Sequence, residues 1–264
     1  MALALYALTI VLMMSYCIAM YLFMNAEGLD YLVWGEAIAQ WAFIFFPVIA
    51  ILWYRRIDFV ETLSLRRPSM IRIAGAILIA VGMSVILHQL LAWQTRIVPI
   101  PEELDALVSK VHGVGSSLMG FVILLIAFAV SPAVCEELLY RGVLVASLRQ
   151  RLSPVTVSLL VGVLFALHHL HPYRFPLIFA LGVVLTYVVL RSGSIYLCML
   201  THFIHNTINL ILTARIQDKW LTFIRYSQED GFTKKMLITA ILFLVVGIIA
   251  MEKSARGQRS EAPA

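Results

Sequence analysis

The stretch SPAVCEELLYRG, residues 131–142, carries Glu136, Glu137 and Arg141 at the end of a long apolar run. Two further polar groupings lie downstream: FALHH, with Phe165 and His169, and HFIHNTIN, with His202, His205, Asn206 and Asn209. On a helix, residues three and four apart share a face. The second grouping is therefore one polar stripe, Phe165 and His169 lie one turn apart, and Glu137 and Arg141 have the spacing of an ion pair. If those two pair, Glu136 lacks a partner. A carboxylate beside a histidine can hold and deprotonate a water. A second histidine with an asparagine one turn on can donate to an oxygen that turns negative during carbonyl addition. That set is enough to hydrolyse a peptide bond.

Zinc is the rival use of the same residues: Glu136, His169 and His202 form a His2Glu set with a fourth position for water. The sequence does not separate a metal-held water from a carboxylate-held one. No extra acid accompanies the histidines, so the expectation taken forward is a metal-free site without a cofactor. The motifs GxSxG and HExxH, a P-loop and GxGxxG are all absent. Each polar grouping also has a plain structural reading. Charges at a span's end serve as interfacial anchors, a His/Asn face makes helix-to-helix hydrogen bonds, Arg141 serves as a structural partner for Glu137, and His168 and His171 fall where an interfacial or loop role is favoured. Their coincidence on three separate spans tips the balance toward a site.

The elements that must position these groups are membrane helices. Of 264 residues, 61% are hydrophobic and 13% charged, against about 25% charged in soluble domains, and the mean hydropathy is +0.92. Apolar spans are expected near 3–24, 34–54, 70–92, 117–140, 154–170, 175–191, 194–213 and 235–252. The fold class is all-α, a polytopic bundle of about eight transmembrane helices enclosing a polar intramembrane cavity. It reads as one integral membrane domain: N-terminal helices and a connecting loop over 1–116, a core over 117–213, and a last helix and tail over 214–264. Glu102 to Val111 reads as a short interfacial helix, and the tail from Lys253 as disordered. Pro132 is expected to kink its span or to begin a fresh helix, leaving the glutamates near freed backbone amides.

The net charge of +5 reads as loop asymmetry, since no basic cluster exceeds a pair, and this argues against a nucleic-acid partner. Arg55, Arg56, Arg66, Arg67, Arg72, Arg141, Arg149, Arg151, Arg191, Lys253, Arg256 and Arg259 fall on one side, which places both termini in the cytoplasm. Cys17, Cys135 and Cys198 lie in apolar runs without CxxC spacing and read as small buried hydrophobes.

Taken together, EELLYR (Glu136, Glu137, Arg141), FALHH (Phe165, His169) and HFIHN (His202, Asn206) resemble, in order and spacing, the three motifs of the CAAX protease and bacteriocin-processing family, also called CPBP or Abi. The resemblance covers roughly 117–213. It implies that Glu136 is the general base, that His169 holds the same water and that His202 and Asn206 form the oxyanion site. Glu137, Arg141 and Phe165 would support the geometry. It also implies an intramembrane endopeptidase in a cell membrane, with the lipid bilayer and a membrane-associated protein or peptide substrate as partners. A bacterial inner membrane is the home this suggests. Two other functional classes are kept: a non-proteolytic immunity or binding protein, and a transporter using the polar cavity as a proton relay.

His205 and Asn209 satisfy the third motif as well as His202 and Asn206 do. The latter pair is preferred because Gly193 lies nine residues before His202, as is common in the family that the chain resembles. His169 is preferred to His168 for its aromatic four residues earlier. One geometric tension follows. With the fourth span ending at 140, Glu136 lies on its cytoplasmic half and His169 near the outer end of the fifth. They meet only if residues 141–153 lie partly in the membrane, or if the fifth span is shifted or tilted.

Overall fold

Lipid offers no hydrogen bonds to a backbone, so an apolar chain that crosses it folds as helix. The computed structural model describes residues 11–12, 14–16, 29–213 and 234–260. Among these, every regular element is helical. In chain order they are α1 (Leu29–Gln40), α2 (Phe46–Tyr54), α3 (Phe59–Thr62), α4 (Met70–Ile97), α5 (Glu102–Val114), α6 (Leu118–Leu125), α7 (Ser131–Glu137), α8 (Val145–Leu148), α9 (Pro154–His168), α10 (Phe175–Ser192), α11 (Ile195–Thr213) and α12 (Lys234–Ser260). A π-helical segment, Trp41–Phe45, joins α1 to α2. Two more, Ile126–Val130 and Leu138–Leu144, join α6, α7 and α8 into one rod.

Six stretches among the described residues are long and apolar enough to cross a bilayer: Val33–Tyr54, Met70–Ile97, Leu118–Leu148, Pro172–Ser192, Ile195–Leu212 and Lys234–Lys253. The protein is a multi-pass helical membrane bundle. The span expected near 154–170 is α9, whose 15 residues rise about 22 Å, short of a hydrocarbon core of about 30 Å. The span expected at 3–24 lies largely outside the described residues, as does Cys17; positions 14–16 are helical. The helix expected at Glu102–Val111 is α5. The tail differs from expectation: α12 continues to Ser260, past Lys253. Lys, Ala and Arg are good helix formers, and extending a formed helix costs far less than starting one.

Local chemistry sets the breaks. Ser153 accepts a hydrogen bond from the Thr156 amide (3.2 Å), and Pro154 follows it at the first turn of α9. Gly193 ends α10 in a left-handed conformation, φ 66°, which suits a residue without a Cβ; α11 starts two residues later. Helices α4 and α12 cross at small residues. A Cβ on Gly82 would stand 2.5 Å from the Ala240 carbonyl oxygen, and one on Gly247 would stand 2.7 Å from that of Gly75. Close backbone approach is how helices gain packing in lipid. Cys135 and Cys198 are buried free thiols, in keeping with their apolar surroundings.

The rod from α6 to α8 resolves the depth tension. The helix does not stop at 140 but runs on, fully buried, to Leu148. That end lies twelve positions after Glu136, about 18 Å along the axis. Only Arg149–Ser153 connects it to α9, and His169 then lies fifteen positions after Pro154, about 22 Å back. Glu136 and His169 thus reach similar heights on antiparallel neighbours.

Candidate active site

Glu136 and Glu137 occupy the last turn of α7, between two π-helical segments. Such segments are rare and recur at functional sites. Pro132 accounts for the first of them: it has no N–H to offer the carbonyl of Phe128, four residues earlier. The Asn206 side chain does so instead, its Nδ2 donating to Phe128 O at 2.9 Å. Trp41 Nε1 donates to Ser131 Oγ at 3.0 Å on the same turn. The group released by Pro132 is therefore a carbonyl, whereas amides beside the glutamates were expected. The bonded partners of both carboxylates are side chains.

Neighbours on a helix point about 100° apart, so the two glutamates face different helices. Glu137 faces α11 and its own next turn. Its Oε1 accepts from Arg141 Nη1 at 2.9 Å and from His202 Nδ1 at 2.8 Å. Arg141 is 1% exposed. Its Nη2 donates to Gly182 O on α10 at 3.0 Å, and its guanidinium lies 4.4 Å from the Phe165 ring centroid on α9. Phe165 also packs edge-on against His202 (5.9 Å) and His169 (4.8 Å). One guanidinium thus ties the rod to α9 and α10, and Glu137 ties it to α11.

Glu136 faces α1. Its Oε1 accepts from Gln40 Nε2 at 2.8 Å. Its Oε2 is buried and has no partner among the described residues. Gln40 Nε2 also lies 3.0 Å from Glu36 Oε1, which accepts from the Tyr16 hydroxyl at 2.6 Å. This partner set was not anticipated. The clue was present: Glu36 and Gln40 are polar residues four apart in GEAIAQW, within an apolar span.

The histidines divide by their bonding. His169 caps the end of α9 and is exposed. Its Nδ1 lies 2.7 Å from Phe165 O. A carbonyl can only accept, so Nδ1 carries the proton and Nε2 keeps its lone pair for a water. His202 is likewise engaged through Nδ1, leaving Nε2 outside that pair. His205, the alternative in the third motif, has both ring nitrogens occupied, Nδ1 by Ser84 Oγ (2.9 Å) and Nε2 by Asn209 Nδ2 (2.9 Å). His168 packs against Tyr16 and Tyr140. The structure thus brings Glu136, Glu137, Arg141, Phe165, His202 and Asn206 together within the bundle, with His169 at its edge. Among the described residues no three His, Cys, Asp or Glu side chains are grouped to hold a metal ion, so Glu136, His169 and His202 do not form such a group here.

Residues 118–208 match the family model described as type II CAAX prenyl endopeptidase Rce1-like. That region belongs to the CAAX protease family. The chain is thus a membrane protease, a peptide hydrolase acting on a peptide substrate. No curated protein and no solved structure matches the chain. The CAAX protease region contains every motif residue from Glu136 to Asn206. Tyr16, Glu36 and Gln40 lie outside it.

Proposed function

We propose that this protease is an intramembrane endopeptidase that cleaves a membrane-associated protein or peptide with a water activated by Glu136. The observation that carries the reading is the contrast between two adjacent carboxylates. Both keep a buried Oε2 without a partner among the described residues. Glu137, however, is charge-paired to Arg141 and bonded to His202 through Oε1, while Glu136 Oε1 meets only the neutral Gln40 amide. Glu136 Oε2 takes a proton from water as the oxygen adds to the scissile carbonyl carbon. His169 Nε2 orients the same water. The carbonyl oxygen becomes negative and accepts from His202 Nε2 and Asn206 Nδ2. For Nε2 to donate, the His202 ring carries both protons, and the Glu137 carboxylate faces the imidazolium. The asparagine amide has two hydrogens, one given to Phe128 O and one left for the oxyanion. Collapse of the tetrahedral intermediate breaks the C–N bond, and Glu136 returns its proton to the leaving amine. Arg141 and Phe165 keep these groups in register.

The carboxylate-held water is the reading taken; zinc bound by Glu136, His169 and His202 is the rival. The basic residues flanking the spans favour cytoplasmic termini, and the setting proposed is a bacterial inner membrane. The test compares membrane peptides and new protein N-termini from cells carrying the wild type with those carrying Glu136→Gln. Defined fragments should vanish in the variant, and in His169→Ala and His202→Ala, while each protein still accumulates. Unchanged profiles from all three variants sink the assignment.

A further inference from the structure

We infer that Gln40, anchored by Glu36 and Tyr16, is a positioning residue of this active site: it holds one oxygen of Glu136 so that the other faces the reaction. The inference rests on Glu136 being the base and extends the site to a helix outside the matched family region.

Hydrogen counting fixes the direction of the network. The Gln40 amide has two hydrogens on Nε2. Three oxygens lie within reach: Glu136 Oε1 at 2.8 Å, Glu36 Oε1 at 3.0 Å and the Tyr16 hydroxyl at 3.3 Å. The two shorter contacts take both hydrogens. The Tyr16 hydroxyl gives its own hydrogen to Glu36 Oε1 at 2.6 Å. Donation therefore runs from Tyr16 to Glu36, from Gln40 to Glu36, and from Gln40 to Glu136. Reversing the amide would set its oxygen against two carboxylate oxygens, so the orientation has one solution. Gln40 is fully buried and lies one turn from Glu36 on α1, which locks the pair to a single helix face.

The consequence falls on Glu136. Its side chain has three rotatable bonds, and a general base acts only when its oxygen is within hydrogen-bond reach of the water. With Oε1 held by Gln40, the carboxylate plane is set and Oε2 is presented. Polar groups joining two membrane helices are commonly mere adhesive. Here the far end of the network is one oxygen of the residue assigned the chemistry. Acidic residues within spans are also costly and rarely kept without a role, and Glu36 lies within the span Val33–Tyr54.

The test uses the full chain. Cells carrying the wild type or Glu136→Gln first identify the fragments whose appearance needs Glu136. Peptides spanning those cleavage points then serve as probes for purified protein in proteoliposomes. Gln40→Met, apolar and of similar volume, and Glu36→Leu each remove the anchor. Both are expected to lower kcat about 10- to 100-fold with KM unchanged, the loss of one hydrogen bond to a charged group. Glu36→Gln keeps an acceptor for both donors and is expected to stay within about threefold of wild type. A merely adhesive network would instead lower the amount of folded protein and leave kcat per folded molecule intact. Wild-type kcat in folded Gln40→Met or in folded Glu36→Leu overturns the inference while leaving Glu136 as the base. Fragments that persist in Glu136→Gln overturn the base assignment instead, and the inference with it.

Discussion

Arg141→Met is the perturbation whose outcome is most tightly set by the geometry. The Arg141 and Glu137 side chains are both 0% exposed, with Nη1 and Oε1 2.9 Å apart. Methionine keeps most of the apolar stem but removes the bond to Glu137, the bond to Gly182 O and the contact with the Phe165 ring. Truncating one partner of a buried pair costs about 3–5 kcal/mol, a fifth or more of a stability of about 5–15 kcal/mol. His202 still faces Glu137 in this variant, so the low end is expected. A second pair, between α10 and α12, is a built-in control. Arg191 binds both oxygens of Glu252 at 2.6 and 2.8 Å, but its side chain is 44% exposed and that of Glu252 28%. Such a pair contributes about 0–1 kcal/mol, so Arg191→Ala should be nearly silent. Replacing both buried partners, Arg141→Met with Glu137→Leu, should cost less than Arg141→Met alone, because the carboxylate goes with its guanidinium and the His202 ring, with no carboxylate to face, is left neutral. The residual cost is about 1–3 kcal/mol, from the unpaired His202 Nδ1–H. Equilibrium unfolding in mixed micelles measures all of these without reference to activity. An Arg141→Met loss no larger than that of Arg191→Ala, or a double variant that loses the sum of its singles, refutes the reasoning.

Other outcomes follow from the same geometry. His205→Ala removes a ring whose two nitrogens are already bonded, so it should cost about 1–3 kcal/mol of stability, while cleavage per folded molecule, followed by fragment release, stays near wild type. Pro132→Ala supplies an N–H that competes with Asn206 for Phe128 O; it should preserve folding yet lower kcat about tenfold by releasing the Asn206 amide. Removing divalent ions with a chelator should leave the cleavage rate unchanged, and a loss restored by zinc would establish the metal-held water instead. Gly182→Ala places a Cβ 2.9 Å from Gly162 Cα, so it should separate α9 from α10 at a cost of about 1–3 kcal/mol, read as a lower unfolding midpoint.

Much of the candidate site was legible because its spacings lie within single helices. Glu137 with Arg141, Phe165 with His169 and the stripe from His202 to Asn209 are all i, i+3 or i, i+4 relations, and helix geometry fixes them before any packing occurs. The end of the fourth span was not legible in this way. Three charges at 136–141 look like the edge of lipid, because an unpaired charge inside it is costly. Arg141 satisfies Glu137, a carbonyl on α10 and an aromatic face on α9, so the chain stays helical and buried to Leu148. Neither α9 nor α10 can be recognised from position 141 as a neighbour.

The sequence by itself determined a helical membrane protein, the faces that carry its polar residues and the likeness to a protease family. Periodicity and transfer free energy are local properties, and each of these conclusions needs only one helix at a time. The tertiary structure alone decided that Gln40 holds Glu136 across 96 positions, that His202 rather than Arg141 alone shares Glu137, and that His205 is saturated by Ser84 and Asn209. The physical reason is reach. A hydrogen bond extends about 3 Å, and which helices come that close depends on glycine crossings, π-helical turns and the packing of the entire bundle.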